Sequence, residues 1–289
     1  MPQASTAEQV IDSKNLEPLD IRLLVLDIDG TIAGESNEIS ETVKQAVGKA
    51  QAKGIQVAIA TGRMYRSALR FHQALGATLP ILAYQGAWIQ DPATDKLYQH
   101  LPVSRTTAAE LLDYFETETL RSRLAVHFYI NDQLYVRERN DQTESYRKRS
   151  TIQPQFVGDL RNILNDEPTK ILALSQEPAL VDQLLLDLRQ KYTPEELYLT
   201  KSVPTFFEAA NPAVNKGNAV RFLAEDLLGI NRENVMAIGD NFNDVEMLEY
   251  AGLGIAMGDA PPEVKALAQW VAPSVDEDGV AAAIEEFIL

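Results

Sequence analysis

Apolar residues in this chain fall into short continuous runs, separated by stretches where they recur every three or four positions. Ile21-Arg22-Leu23-Leu24-Val25-Leu26 is the first run and reads as a strand buried on both faces, as in a parallel sheet. Residues 41–53 follow with helical spacing. Val43, Ala46, Val47 and Ala50 share one face, Ser40 offers an N-cap and Gly54 a stop. Gln56-Val57-Ala58-Ile59-Ala60 predicts a second buried strand, residues 65–75 a helix, and Pro80-Ile81-Leu82-Ala83-Tyr84 a third strand. Strand and helix alternate, which implies parallel strands joined by crossover helices.

Beyond residue 87 the pattern changes. Strands become shorter and more alternating, over residues 96–101, 125–130, 133–136, 170–174 and 205–208, with helices near 106–119 and 179–190. This suits an antiparallel sheet with helices on one face. Residues 140–166 are polar and carry no clear period. From Lys216 the first pattern returns. A helix over 218–228 closes at Gly229, and apolar runs follow at 234–238, 254–257 and 270–272. The expected fold class is α/β. A parallel-sheet core over residues 21–86 and 209–289 is interrupted by an inserted α+β domain over 87–208. Residues 1–20 are polar, lack a basic-then-apolar signal pattern, and read as a flexible tail.

Composition narrows the function. The net charge of −16 argues against nonspecific nucleic-acid binding, which needs a basic surface. It would also repel a phosphorylated substrate unless a cation or local basic groups reverse the field. No apolar run reaches the roughly 20 residues that span a bilayer. The absence of cysteine rules out disulfides and thiolate chemistry, and fits a cytoplasmic location.

Ligands of open α/β sheets gather at the carboxyl ends of strands. Asp27 and Asp29 follow the first run, Thr61, Gly62 and Arg63 the second, and Asp240 the run ending at Ile238, with Asn243 and Asp244 just beyond. Lys216 stands where the chain re-enters the core. Packed carboxylates repel, and a hard cation such as Mg²⁺ relieves that repulsion. One ionised carboxylate can attack phosphorus, and a second can protonate the leaving oxygen and then activate water. The Thr61 hydroxyl, nearby amides and Lys216 could hold the phosphate oxygens.

Asp27-Ile28-Asp29-Gly30-Thr31, Thr61-Gly62-Arg63, Lys216-Gly217 and Gly239-Asp240-Asn241-Phe242-Asn243-Asp244 resemble the four ordered motifs of the haloacid dehalogenase superfamily of phosphohydrolases. The long insert, Val245-Glu246-Met247-Leu248 and Gly254-Ile255-Ala256-Met257-Gly258 are similar to its Cof-type sugar-phosphatase branch. The resemblance spans residues 21–289 and implies a Rossmann-like core with a cap domain. It implies that Asp27 is the nucleophile, that Asp29 is the general acid/base, and that Asp27, Asp29 (through its carbonyl) and Asp240 bind Mg²⁺. Asp244 would act one layer back, through water or Lys216. Thr61, Gly62, Lys216 and Asn243 would bind phosphate, and Arg63 could reach the substrate. Two departures stand out: Gln85-Gly86-Ala87 replaces the branch's usual Asn-Gly-Ala, and Asp259 stands where Asn is common.

Each motif alone has a plainer use. Asp-x-Asp pairs more often cap turns, Asp240 and Asp244 could be a cap and a helix carboxylate, and Lys216 a solvated charge. His72, His100 and His127 show no metal-ligand spacing, and core packing is the commoner use of Trp88, Tyr129 and Phe207. No Gly-x-x-x-x-Gly-Lys-[Ser/Thr] occurs, and Gly252-x-Gly254 fails the dinucleotide pattern because position 257 is Met. The ordered set at strand ends favours a Mg²⁺-dependent phosphohydrolase. It would work through an aspartyl-phosphate on a small phosphorylated metabolite of sugar-phosphate type, as a monomer or homodimer. The alternatives are a phosphomutase on the same core, or a non-catalytic binding module with Asp27 as phospho-acceptor. Asp29 argues against a haloacid hydrolase, which has no alkoxide leaving group to protonate.

Overall fold

The computed structural model describes residues 19–289, apart from the side chains of Arg149 and Ser202. The expected tail over residues 1–20 lies almost wholly outside these residues. The chain forms two compact units. The first contains the described residues through Thr61, Phe71–Pro80 and Lys216–Leu289; the second contains Gly62–Arg70 and Ile81–Asn215. Among the described residues no helix is long and apolar enough to cross a membrane.

The first unit is built on a five-stranded parallel sheet. Its spatial order is Trp270–Val271, Leu253–Ala256, Val235–Gly239, Leu23–Leu26 and Gln56–Ile59. Leu23–Leu26 is buried along its whole length, as its unbroken apolar run requires. The strand that follows it in the chain pairs on one side and the strand that returns much later pairs on the other, so the chain order reverses beside it. The carboxyl ends of Leu23–Leu26 and Val235–Gly239 therefore form the crevice where α/β sheets hold ligands. The Glu41–Ala52 helix starts where Ser40 Oγ accepts from the Val43 amide at 3.1 Å, and buries Val43, Ala46, Val47 and Ala50. The expected helix over 218–228 divides into Lys216–Arg221 and a π-helical turn, Phe222–Leu228, closed by Gly229 in the left-handed conformation.

Ile81–Ala83 is a strand, as expected, but not a parallel one. It pairs antiparallel with Trp88–Gln90, which pairs with Leu97–His100. Tyr84 and Gln85 both take positive φ, 52° and 60°, and turn the chain back at once. A short apolar run fits either pairing, so its periodicity could not distinguish them.

The second unit holds a six-stranded sheet. Its order is Tyr198–Val203, Phe206–Ala210, Lys170–Leu174, Ala125–Ile130, Gln133–Val136 and Gln155–Phe156, with only the last pair parallel. The two sheet faces differ. Val126, Phe128, Ile171, Ala173, Phe207 and Ala209 join the hydrophobic core with the Arg105–Phe115 and Pro178–Lys191 helices. The alternate positions place His127, Tyr129, Lys170 and Glu208 on the opposite face. The unassigned stretch contains a helix, Asp141–Ser150, with no apolar stripe. Asn140 Oδ1 caps it by accepting from the Thr143 amide at 2.8 Å, and Asp141 and Glu144 lie in its first turn, where negative charge complements the helix dipole.

His127 is fully buried; its Nε2 lies 3.0 Å from Thr143 Oγ1, and its Nδ1 has no hydrogen-bond partner. Burial, helped by the Lys170 charge, pushes its pKa down to about 3. The unfolded chain therefore binds the extra proton between about pH 6.5 and 3, and the folded chain does not. Stability present above pH 6.5 is lost as pH falls through that window, by roughly 1–2 kcal/mol at pH 5. Melting curves should show a smaller drop between pH 7 and 5 for His127→Gln than for wild type. Equal drops would refute this assignment.

Candidate active site

The Asp27 amide donates to the Ile238 carbonyl at 3.1 Å, and the Ala60 amide to the Leu26 carbonyl at 3.0 Å. Pairing between neighbouring strands thus continues past Leu26, and brings the starts of three loops together. Asp27 leaves the central strand, Thr61 follows Gln56–Ile59, and Asp240 follows Val235–Gly239.

After Asp27 the chain turns tightly: the Ile28 carbonyl accepts from the amides of Thr31, Ile32 and Ala33. Gly30, at φ +80°, is required here. A Cβ at that position would overlap the Asp240 carboxylate. The turn leaves Asp29 exposed, and Thr31 Oγ1 donates to Asp240 Oδ1 at 3.5 Å.

Lys216 is fully buried, and its Nζ lies 2.6 Å from Asp27 Oδ1 and 2.5 Å from Asp244 Oδ1. Asp244 Oδ2 accepts from the amides of Asp240 at 2.9 Å and Asn241 at 3.0 Å. Asn241 and Asp244 form a capping box around the Phe242–Asp244 turn. Asp244 is therefore no exposed helix carboxylate: it is buried, completes the capping box and anchors Lys216. Asn243 is half-buried in the same turn.

Asp27, Asp240 and Asp244 each present an oxygen within 4.8 Å of the others. Burial raises the Asp27 pKa well above the usual carboxylate range against the pull of Lys216, and the charges of Asp244 and Asp240 add to the rise. Asp240 is pushed up to about 7 by burial, with further contributions from Asp244 and Asp29. Burial alone would depress Lys216, but Asp244 and Asp27 outweigh it and hold it above its ordinary value. With one lysine among three carboxylates, two buried and one half-buried, the cluster lacks positive charge. Both Asp244 oxygens already have donors, which leaves Asp27 and Asp240 facing one another. These hard oxygen donors fit a small divalent cation.

The sequence-derived site therefore divides. Asp27, Lys216, Asp240 and Asp244 touch directly, and Asp29 and Thr61 flank them in the same unit. Gly62 and Arg63 belong to the second unit. There the Arg63 carbonyl accepts from the Tyr84 amide at 2.9 Å, and Gly62 lies against the Gln85 amide group. The Gln85 departure thus sits beside a motif glycine. The Asp259 departure is local: its carboxylate accepts from the Val275 amide at 3.1 Å. His72, which bonds the Leu79 carbonyl, and His100, which bonds Thr169 Oγ1, have structural partners. Thr31 and Asn241 stand in the motifs quoted from the sequence but had no role assigned there. The Asn-x-x-Asp spacing was the available signal for Asn241, and place in the first motif the signal for Thr31.

Residues 24–284 match the haloacid dehalogenase-like hydrolase family. The YxeH protein of Bacillus subtilis (strain 168) is 32% identical over 276 residues, covering 93% of this chain and 98% of the relative. The 5-amino-6-(5-phospho-D-ribitylamino)uracil phosphatase YitU of the same organism is 30% identical over 280 residues, covering 92% and 97%. A crystal structure of a haloacid dehalogenase-like hydrolase from Bacteroides thetaiotaomicron superposes with a TM-score of 0.83 at 25% identity, covering 92% of this chain and 98% of that one. The carboxylate–lysine cluster at the strand ends and these matches together establish that the chain belongs to the haloacid dehalogenase-like hydrolases and is a phosphatase.

Proposed function

We propose that this phosphatase is Mg²⁺-dependent, uses Asp27 as its nucleophile, and acts on a small phosphorylated metabolite of sugar-phosphate type. The observation that carries the reading is the buried Asp27 carboxylate at the end of the central strand, bonded to Lys216 and adjoining Asp240. A surface carboxylate used only as a cap would have no reason to be buried beside a second buried carboxylate and a third half-buried one. The YitU relative, named for a phosphorylated ribityl compound, supports a phosphorylated metabolite as substrate.

In this mechanism Asp27 attacks phosphorus, and the bond to the leaving oxygen breaks. Asp29, exposed and able to exchange protons with solvent, protonates that oxygen. Water then attacks the aspartyl-phosphate, Asp29 takes its proton, and Asp27 is released with inorganic phosphate. Thr61, the Gly62 amide and Asn243 hold the phosphate oxygens, and Arg63 is available to the substrate. Lys216 offsets the charge on Asp27 and fixes its orientation through Asp244. Asp27 and Asp240, with the Asp29 carbonyl, would hold Mg²⁺, which supplies the positive charge that admits a phosphate to an acidic site.

Asp27→Asn should lower phosphate release from a generic aryl phosphate by at least about 10³-fold. Residual turnover near wild type would exclude Asp27 as nucleophile. Chelation should abolish turnover and added Mg²⁺ restore it. Mg²⁺ at about 100 times its Kd should stabilise the wild type by about 2.7 kcal/mol; Asp240→Asn should lose most of that increment in thermal melts. Lys216→Met should destabilise the fold by about 3–5 kcal/mol at pH 7, because it leaves buried carboxylates unpaired. Urea titration should show a smaller loss at pH 5, where Asp27, whose pKa burial raises, can bind a proton. The same loss at both pH values would argue against a charge origin.

A further inference from the structure

Asp132 is a buried carboxylate in an unusual place, the tip of a hairpin. Asn131 and Asp132 join Ala125–Ile130 to Gln133–Val136, and both take positive φ, 50° and 54°. Two-residue loops of this kind favour glycine at the second position, and loops run over the surface. Asp132 is only 5% exposed. Burial raises its pKa although bonds from Tyr84 and Arg66 pull it down, so the fold bears a cost to keep the group there. Its partners explain the placement. Asp132 Oδ2 accepts from the Arg66 amide at 2.9 Å and from Arg66 Nε at 3.1 Å, and Oδ1 accepts from the Tyr84 hydroxyl at 2.8 Å. Arg66 Nη1 also donates to Gln133 Oε1 at 3.1 Å.

Arg66 lies in the first turn of the Tyr65–Ala74 helix, where amides have no partner within the helix. Met64 precedes that helix, and its side chain has no oxygen to cap it. A carboxylate 66 positions further along the chain does so instead, and its charge complements the helix dipole. Upstream, the Tyr84 amide donates to the Arg63 carbonyl at 2.9 Å, and the side chain of Gln85 lies against Gly62. Residues 62–66 are thus held at one end by the Tyr84-Gln85 turn and at the other by the Arg66 bonds, and Asp132 bonds both. All of these residues belong to the second unit. We propose that Asp132 is a positioning residue, which holds the loop of residues 62–66 in the form that presents the Gly62 amide to phosphate. The inference rests on the reading above, in which Gly62 binds phosphate, and adds to it a residue outside the four motifs. An ionised carboxylate suits the task because it accepts several donors at once.

The test measures inhibition of phenyl phosphate hydrolysis by inorganic phosphate, and amide hydrogen exchange by mass spectrometry, in wild type, Asp132→Ala, Asp132→Asn, Tyr84→Phe and Thr61→Val. The inhibition constant does not depend on how much of the enzyme is folded, so a purely structural role leaves it unmoved. Asp132→Ala should raise that constant by about tenfold, the loss expected for one bond to a charged group, and speed exchange over residues 62–68. Asp132→Asn should restore both to within about threefold of wild type, because an amide of the same shape accepts from Arg66 and donates to the Tyr84 oxygen. Tyr84→Phe removes one bond of the three, should shift both readouts the same way by less, and decides the matter if Asp132→Ala does not fold. A lower melting temperature with an unchanged inhibition constant makes Asp132 structural and overturns the proposal. A rise for Thr61→Val with none for Asp132→Ala or Tyr84→Phe overturns it too, and leaves the phosphate reading standing. If no variant raises the constant, the phosphate reading fails, and exchange alone decides the hold: faster exchange in Asp132→Ala sustains it, and equal exchange overturns it.

Discussion

The buried ion pairs of Lys216 are the constraint on which the first unit's chemistry depends. An ammonium is stable away from water only if its partners repay the lost hydration, and here Asp27 and Asp244 do so together. The bond to Asp27 orients the carboxylate proposed as the nucleophile. The bond to Asp244 is braced in turn, because the other Asp244 oxygen holds the amides of Asp240 and Asn241. One lysine thereby fixes the loop after one strand against the loop after its neighbour. It does so with too little charge to neutralise the carboxylates, and that deficit is what a divalent cation can fill.

The parallel sheet makes this arrangement possible without long-range coincidence. Leu23–Leu26 and Val235–Gly239 are distant in the chain but adjacent in register, so residues just past their ends meet as a matter of course. Close approach then demands small residues. Gly30 leaves room for the Asp240 carboxylate, and Gly239 leaves room for Asp244, whose Cβ would otherwise lie 2.5 Å from an added one. The same economy appears in the capping box, where a common device for starting a helical turn also fixes a charged group in the site.

The second unit uses its sheet differently. One face is filled by leucines, valines and phenylalanines from two helices. The other collects His127, Tyr129 and the ion pair of Lys170 with Glu208.

Much of the first unit was legible in the sequence because its signals are local. Continuous apolar runs marked the strands, Ser40 and Gly54 marked the ends of a helix, and carboxylates just past strand ends marked the site. The second unit was legible where strands alternate cleanly, as at Ala125–Ile130 and Lys170–Leu174. It was not legible in the Asp141–Ser150 helix, which is held by caps and charge rather than an apolar stripe, nor in Ile81–Ala83, whose pairing was decided by a turn of two left-handed residues. The sequence by itself marked the candidate groups, since the proposed nucleophile, acid and phosphate-binding residues lie in short motifs. Only the tertiary structure decided that Lys216 is shared by Asp27 and Asp244, and that Lys170 meets Glu208 and Tyr129. Those contacts join residues far apart in the chain, and only strand register and burial bring them together.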